Sequence, residues 1–322
     1  MQNENMIYKL LCNIGFAYLG YSLYKYVDKK MKDEGEDVEG FTQLEPFVLK
    51  REDACYDEFY ASVFDEIHNF NKLASWELTQ VLKMTMPDTK HSVFLDIASR
   101  TGDRVKELED GGYIAYGLER SNALISRCEQ KHPDLEIQKG TPYDSLLFEK
   151  NTFTHILCCD FAIYEMKNKQ EFFGNCFHWL HHNGYLVLHL VERSCFNAVS
   201  PRNDEEVKWL PLIPQDRKQI TKINTEYEDF EYEKSFHFPV NVDETNVDET
   251  NVDETNVVLL RETFTDKATK HVRQNEFTYK MEEIKEILAM AKKAGFIFHA
   301  KASMKKYNGD PHQYLYILEK PM

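Results

Sequence analysis

The sequence predicts an α/β fold: a doubly wound, mostly parallel sheet with an antiparallel last strand, a β-rich insertion and an N-terminal hydrophobic helix. Three observations predict it. Short apolar runs alternate with helical stretches from Ser92 to Glu192, the pattern of βαβ units whose parallel strands are covered on both faces. The last two apolar runs, "FIFHAKASM" and "QYLYIL", are joined through Asn308-Gly309, a pair that favours the left-handed turn of a hairpin. Between Arg193 and Tyr279 the alternation is interrupted by β-type segments such as "FEYEKSFHF", "NVVLLRETFTD" and "TKHVRQNEFTY".

The elements follow in order. Tyr56, Phe59, Tyr60, Val63, Phe64, Ile67 and Phe70 recur at three- and four-residue steps, one apolar helix face. Leu73, Trp76, Val81 and Leu82 mark a second helix that Pro87 stops. "SVFLDI" is a strand, and "DRVKELEDGG" a short helix ended by glycines. "YIAYGLE" is a strand, and "SNALISRCEQKHP" a helix that Ser121 caps and Pro133 ends. "LEIQ" and "FTHILCC" are strands, "KQEFFGNCFHWLHHNG" a helix and "YLVLHLVE" a strand. "KMEEIKEILAMAKKAG" is a helix with Gly295 at its C-terminal cap. Open parallel sheets bind ligands at the carboxyl ends of their strands, near the point where strand order reverses. Asp96–Gly102, Glu119 and Asp160–Tyr164 all fall at such ends.

The chain has 322 residues and a net charge of -15. That charge disfavours nucleic acid as a partner, because phosphate backbones bind through Lys and Arg. The seven cysteines are odd in number and form no CxxC pair, so neither a disulfide framework nor a metal site is expected. Adjacent His181 and His182, at the expected end of a helix, suit the helix dipole rather than a metal.

Residues 10–24 carry no charge. Extended to 6–27, with Lys9 and Lys25 reaching outward, they are long enough for a membrane anchor. Lys25, Lys29, Lys30 and Lys32 follow this segment, which places the rest of the chain in the cytosol; a soluble cytoplasmic protein is the alternative. Residues 1–5 are a tail, 28–50 an acidic linker and 51–322 the main domain. Its insertion, 193–279, is expected to form a lid, with the triplicated NVDET repeat (241–255) as a solvated loop and Trp209 within an apolar segment.

Four blocks then carry a resemblance. "YDEFYASVFDEI", "FLDIASRTG", "YGLERS" and "FTHILCCDFAIYEM" with the following "FFGNCFHWLHHNGYLVLHLVE" together resemble the class I S-adenosylmethionine-dependent methyltransferases, from about Tyr56 to Leu318. The last block is also similar to methyltransferase-like proteins of large DNA viruses. The resemblance implies a seven-stranded sheet and S-adenosylmethionine as cofactor. It implies that Asp96 faces the methionine moiety and that Ala98, Arg100 and Gly102 lie in the turn against the cofactor. Glu119 would accept the ribose hydroxyls, and Thr141 and Pro142 would lie near adenine. Asp160, Phe161 and Tyr164 would line the transfer site, and Tyr56 and Tyr60 would close over the methionine end. Asp160, Tyr164 and His189 are the catalytic candidates, with Glu192 a further base.

Ala98 and Arg100 stand where the family has glycine, and "HHNG" replaces "KPGG". Arg100 must turn away or pair with the cofactor carboxylate, for which a guanidinium fork is well shaped. "DFAIY" lacks the Asn/Asp-Pro-Pro-Tyr arrangement of base-amine methylation, which points to a small-molecule, lipid or protein acceptor. The other reading is a catalytically inactive binding or scaffold protein on the same fold. A nicotinamide oxidoreductase is disfavoured, since no G-x-G-x-x-G follows the first strand.

Overall fold

The computed structural model describes residues 45–68, 70–196, 222–237, 256–308 and 310–322. The expected anchor (6–27), the Trp209 segment and the NVDET repeat lie outside the described residues. Among the described residues, no helix is long and apolar enough to cross a membrane.

The chain enters through β1 (Phe47–Arg51), a short 3₁₀ turn, α1 (Glu58–His68) and α2 (Phe70–Thr85). The linker expected over 28–50 therefore ends early, because its last residues form a strand. Then come β2 (Val93–Ile97), α3 (Asp103–Asp110), β3 (Ile114–Glu119), α4 (Asn122–Lys131), β4 (Ile137–Lys139) and β5 (Phe153–Cys158). They are followed by α5 (Ala162–Glu165), α6 (Lys169–Trp179), β6 (Leu180–Val191) and a 3₁₀ turn, Arg193–Cys195. The insertion contributes β7 (Lys222–Glu226), β8 (Phe230–His237), β9 (Val257–Asp266) and β10 (Val272–Lys280). The chain closes with α7 (Ile284–Lys293), β11 (Ile297–Ser303), α8 (Lys305–Asn308) and β12 (Gln313–Glu319).

Seven strands form one sheet in the order β11-β12-β6-β5-β2-β3-β4. β6, β5, β2, β3 and β4 run parallel, whereas β12 is antiparallel to both β6 and β11. β2 is buried at Phe94–Ile97 without alternation, as expected of a strand covered on both faces. Chain order reverses on either side of β2, with β3 beyond one edge and β5 beyond the other. The loops after β2 and β5 therefore flank the switch point.

Local signals explain the helices around it. The Ser121 hydroxyl accepts the Leu124 N–H at the start of α4, and Asn168 accepts the Glu171 N–H at the start of α6, both side-chain caps. α6 buries Phe172, Phe173, Cys176 and Trp179, one face at helical spacing. It stops at Trp179, and His181 and His182 open β6 instead of ending the helix. Within β6, a side chain at Gly184 would meet the carbonyls of His181 and Thr154 at 2.9 and 3.0 Å, so only glycine allows that close backbone approach.

The insertion strands do not form a loose flap. With β1 they build a second sheet, β1-β10-β9-β8-β7, which packs on α1. The Phe59 ring meets Phe264 edge-on, with centroids 5.2 Å apart. The fully buried Glu262 accepts the hydroxyl of Tyr60 at 2.7 Å and that of Tyr232.

Candidate functional site

Two loops at the carboxyl edge share an uncommon backbone. After β2, Ala98, Arg100 and Gly102 have φ of 58°, 55° and 83°. After β5, Asp160 and Phe161 have φ of 48° and 60°. Left-handed conformations in residues with side chains cost roughly 1–3 kcal/mol each and gather at functional sites. Among the described residues, four of the nine non-glycine residues with positive φ sit at this one edge.

Glu119, at the end of β3, closes the first loop. Its Oε2 accepts the Arg100 N–H at 3.0 Å, and its Oε1 accepts the N–H groups of Arg120 and Ser121 at 2.8 and 3.0 Å. The side chain is buried. Thr141 lies just beyond β4, next to Gly140, whose N–H bonds the Glu119 carbonyl at 3.0 Å.

The Arg100 side chain fills the space over this loop. Its guanidinium pairs with Glu165 and lies 5.0 Å over the Tyr56 ring. Arg120 approaches the same ring from 5.1 Å and bonds Glu165 at 3.0 Å. The Tyr56 hydroxyl donates to Glu165 at 3.2 Å. Burial works against the Glu165 carboxylate, yet Arg100 and Arg120 hold its pKa below the ordinary value. Phe277, on β10, packs on the Tyr56 ring with centroids 5.2 Å apart, so β10 runs beside this cluster. Tyr60 instead points into the second sheet and Glu262.

Asp96 serves the core more than the open edge. It is fully buried and receives both its bonds from Arg104, at 3.0 and 3.1 Å. Arg104 also bonds Glu77 at 2.8 Å, and His189 Nδ1 lies 3.1 Å from the other Glu77 oxygen. Burial pushes the Asp96 carboxyl up to about 6 against the pull of Arg104. For Glu77, Arg104 and His189 outweigh burial and bring the pKa down.

Of the catalytic candidates, His189 and Tyr164 both pack on the Phe161 ring, Tyr164 with centroids 6.1 Å apart, and Asp160 directly precedes Phe161. The Phe161 ring lies against His189, with centroids 4.1 Å apart, and meets Phe196 edge-on at 5.4 Å. Burial, reinforced by Glu77, pushes the Asp160 carboxyl up to about 6. The Tyr164 hydroxyl is spent on the backbone of Val191, donating to its carbonyl at 3.2 Å and accepting its N–H at 2.9 Å. It fastens α5 to the end of β6.

Sequence reasoning missed Glu165, Arg120, Arg104, Glu77 and Glu262. Glu77 carried a readable signal, since it interrupts the buried stripe of Leu73, Ala74, Leu78 and Val81. A buried acid in such a stripe needs a cation, and Arg104 supplies it. The other four gave no local signal, because their partners lie in distant elements.

Comparison with known proteins agrees with this architecture. Residues 95–188 match a family model described as "Methyltransferase domain". No curated protein matches the sequence. Among solved structures, the chain is similar to the CcbJ methyltransferase from Streptomyces caelestis, at 12% identity and a TM-score of 0.59, over 84% of this chain and 100% of that one. It is similar to an S-adenosylmethionine-dependent methyltransferase from Clostridium acetobutylicum, at 12% identity and a TM-score of 0.57, over 82% and 98%. It is also similar to the sugar N-methyltransferase KedS8 from Streptoalloteichus, at 16% identity and a TM-score of 0.56, over 88% and 98%. The fold is that of the class I S-adenosylmethionine-dependent methyltransferases.

Proposed function

We propose that this chain is an S-adenosylmethionine-dependent methyltransferase acting on a small polar acceptor, held where the second sheet meets the carboxyl edge. One observation carries the reading. The β2 loop keeps left-handed residues at 98, 100 and 102 although two of them are not glycine. Maintaining that shape costs energy, and Glu119 holds it through the Arg100 N–H at 3.0 Å. A loop of this form beside a strand-end carboxylate suits a nucleoside.

The residues present fit that cofactor at the loop and at Glu119. A carboxylate has about four acceptor positions, of which Glu119 uses three on backbone N–H groups. A sugar diol donating twice therefore takes the remaining position and displaces one N–H. Arg100 and Arg120 offer cations for a carboxylate. When bound, the cofactor supplies an electrophilic methyl group, so the protein's task is alignment and exclusion of water. Asp160 is positioned to take a proton from the acceptor, with Phe161 and His189 as its wall. The likeness to a sugar N-methyltransferase supports an amine or hydroxyl on a small molecule. The uncharged run Leu10–Tyr24 supports a membrane tether through residues 6–27.

A second reading, a cofactor-silent protein on the same fold, is favoured by the Arg100–Glu165–Tyr56–Arg120 cluster that occupies the loop's open side. Thermal unfolding of the full chain separates the two. S-adenosylhomocysteine raises the midpoint if the first reading holds, and reduced nicotinamide dinucleotide does not. A folded protein whose midpoint moves with neither supports the second.

A further inference from the structure

We infer that Glu192, Cys195 and His312 form a binding site for a zinc-class divalent cation. The inference does not rest on the methyl-transfer reading, and either can fail without the other. Glu192 directly follows β6, Cys195 sits on the 3₁₀ turn after it, and His312 precedes β12. One ligand atom from each lies within 4.8 Å of the other two. Glu192 Oε2 is 2.8 Å from His312 Nδ1 and 4.0 Å from Cys195 Sγ. Bonds of about 2.0–2.3 Å at tetrahedral angles set such atoms roughly 3.3–3.5 Å apart. Small side-chain rotations close that difference.

The backbone already holds the three together. The Glu192 N–H bonds the His312 carbonyl at 3.0 Å, and the Cys195 N–H bonds the Glu192 carbonyl at 2.8 Å. Outer partners orient the ligands, as they do at built metal sites. The Tyr314 hydroxyl donates to Glu192 Oε1 at 3.2 Å, leaving Oε2 for the ion. Asp310 accepts the backbone N–H of His312 at 2.8 Å, which fixes the main chain that carries the imidazole. The 3₁₀ turn brings the Cys195 thiol, which also lies 3.7 Å from Ser194 Oγ, up to the His312–Glu192 pair. Thiolate, imidazole and carboxylate together suit zinc, whereas calcium and magnesium take oxygen ligands.

The His312 and Glu192 side chains are 40% and 42% exposed, so an ion enters from solvent. Binding releases the thiol proton and any proton on the imidazole. Three protein ligands leave a fourth position for water or another donor. The site lies next in sequence to Phe196, which packs on Phe161, so an ion there fixes the turn bordering the proposed acceptor wall.

Cobalt(II) titration of the reduced, chelator-treated full chain tests this. One equivalent is expected to produce a thiolate-to-cobalt absorption band in the near ultraviolet that zinc bleaches. Cys195→Ser removes the band, and His312→Gln weakens affinity by about tenfold or more, with far-ultraviolet circular dichroism unchanged. In the unmodified protein, zinc slows alkylation of Cys195, mapped by mass spectrometry; the other described cysteines are buried. A band that persists in Cys195→Ser, no stoichiometric uptake, or alkylation of Cys195 indifferent to zinc overturns the inference.

Discussion

Arg100 and Glu165 form an ion pair inside the carboxyl edge of the seven-stranded sheet, with only 6% and 8% of their side chains exposed. A guanidinium at this point of the loop either anchors an incoming anion or excludes it. Glu165 shows that the position accepts a carboxylate, and Arg120 shares the same partner.

Removing that internal competitor therefore strengthens cofactor binding. Glu165→Gln is expected to tighten S-adenosylhomocysteine by about tenfold, the worth of one charged hydrogen bond. Arg100→Ala is expected to weaken it by a similar factor, measured by calorimetry. Tighter binding by Arg100→Ala would show that the guanidinium acts as a plug.

The Asp96–Arg104–Glu77 network is a structural centre beneath the site. Arg104→Met leaves two buried carboxylates without their cation, and breaking such a buried pair costs about 3–5 kcal/mol. Urea unfolding measures it, and a loss below about 1 kcal/mol, the scale of an exposed pair, would contradict the network's role.

Asp160 sets a pH dependence. Its carboxyl stands at about 6 in the fold against an ordinary 3.8, so the folded state holds this proton more tightly than the unfolded chain. The resulting stabilisation is complete below the ordinary value and is lost as pH rises through about 6. The difference in stability between the unmodified protein and Asp160→Asn should follow that curve, with an amplitude of about 3 kcal/mol at most. Asp96 shifts in the same direction, and Glu77 and Glu165 in the opposite one, but all three are common to both proteins. A difference that does not vary with pH removes Asp160 as the titrating group.

Tyr60 and Glu262 tie α1 to the second sheet. Tyr60→Phe removes a buried bond to a charged acceptor and is expected to cost about 1.5–3 kcal/mol. Since Tyr60 faces Glu262 and not the β2 loop, cofactor affinity should change little. A large loss of affinity with stability preserved would place Tyr60 at the cofactor instead.

Much of the fold was legible because its signals are local. The unalternating "VFLDI" and the Ser121 cap each report on a few neighbouring residues, whereas β11 and β12 pair antiparallel across a connection that contains α8 rather than through a two-residue asparagine-glycine turn. β1 is not legible in the sequence because it is only five residues long, follows an acidic stretch, and its pairing partner, β10, lies more than two hundred residues away. The site was half legible. Its strand-end positions follow from topology, so Glu119, Arg100, Asp160 and Phe161 do meet at one edge. Their partners did not follow, because an ion pair such as Arg100–Glu165 depends on how separate loops approach in space. Asp96 and Tyr164 were placed by their position in the chain, whereas burial gave them structural partners.

Calorimetric titration of S-adenosylhomocysteine into the full chain and into Glu119→Gln tests the central claim most directly. The account predicts saturable binding of one molecule per chain at micromolar affinity, weakened by about tenfold or more when one carboxylate oxygen becomes an amide. A folded protein that gives no saturable heat, or one whose binding is indifferent to Glu119, would contradict it.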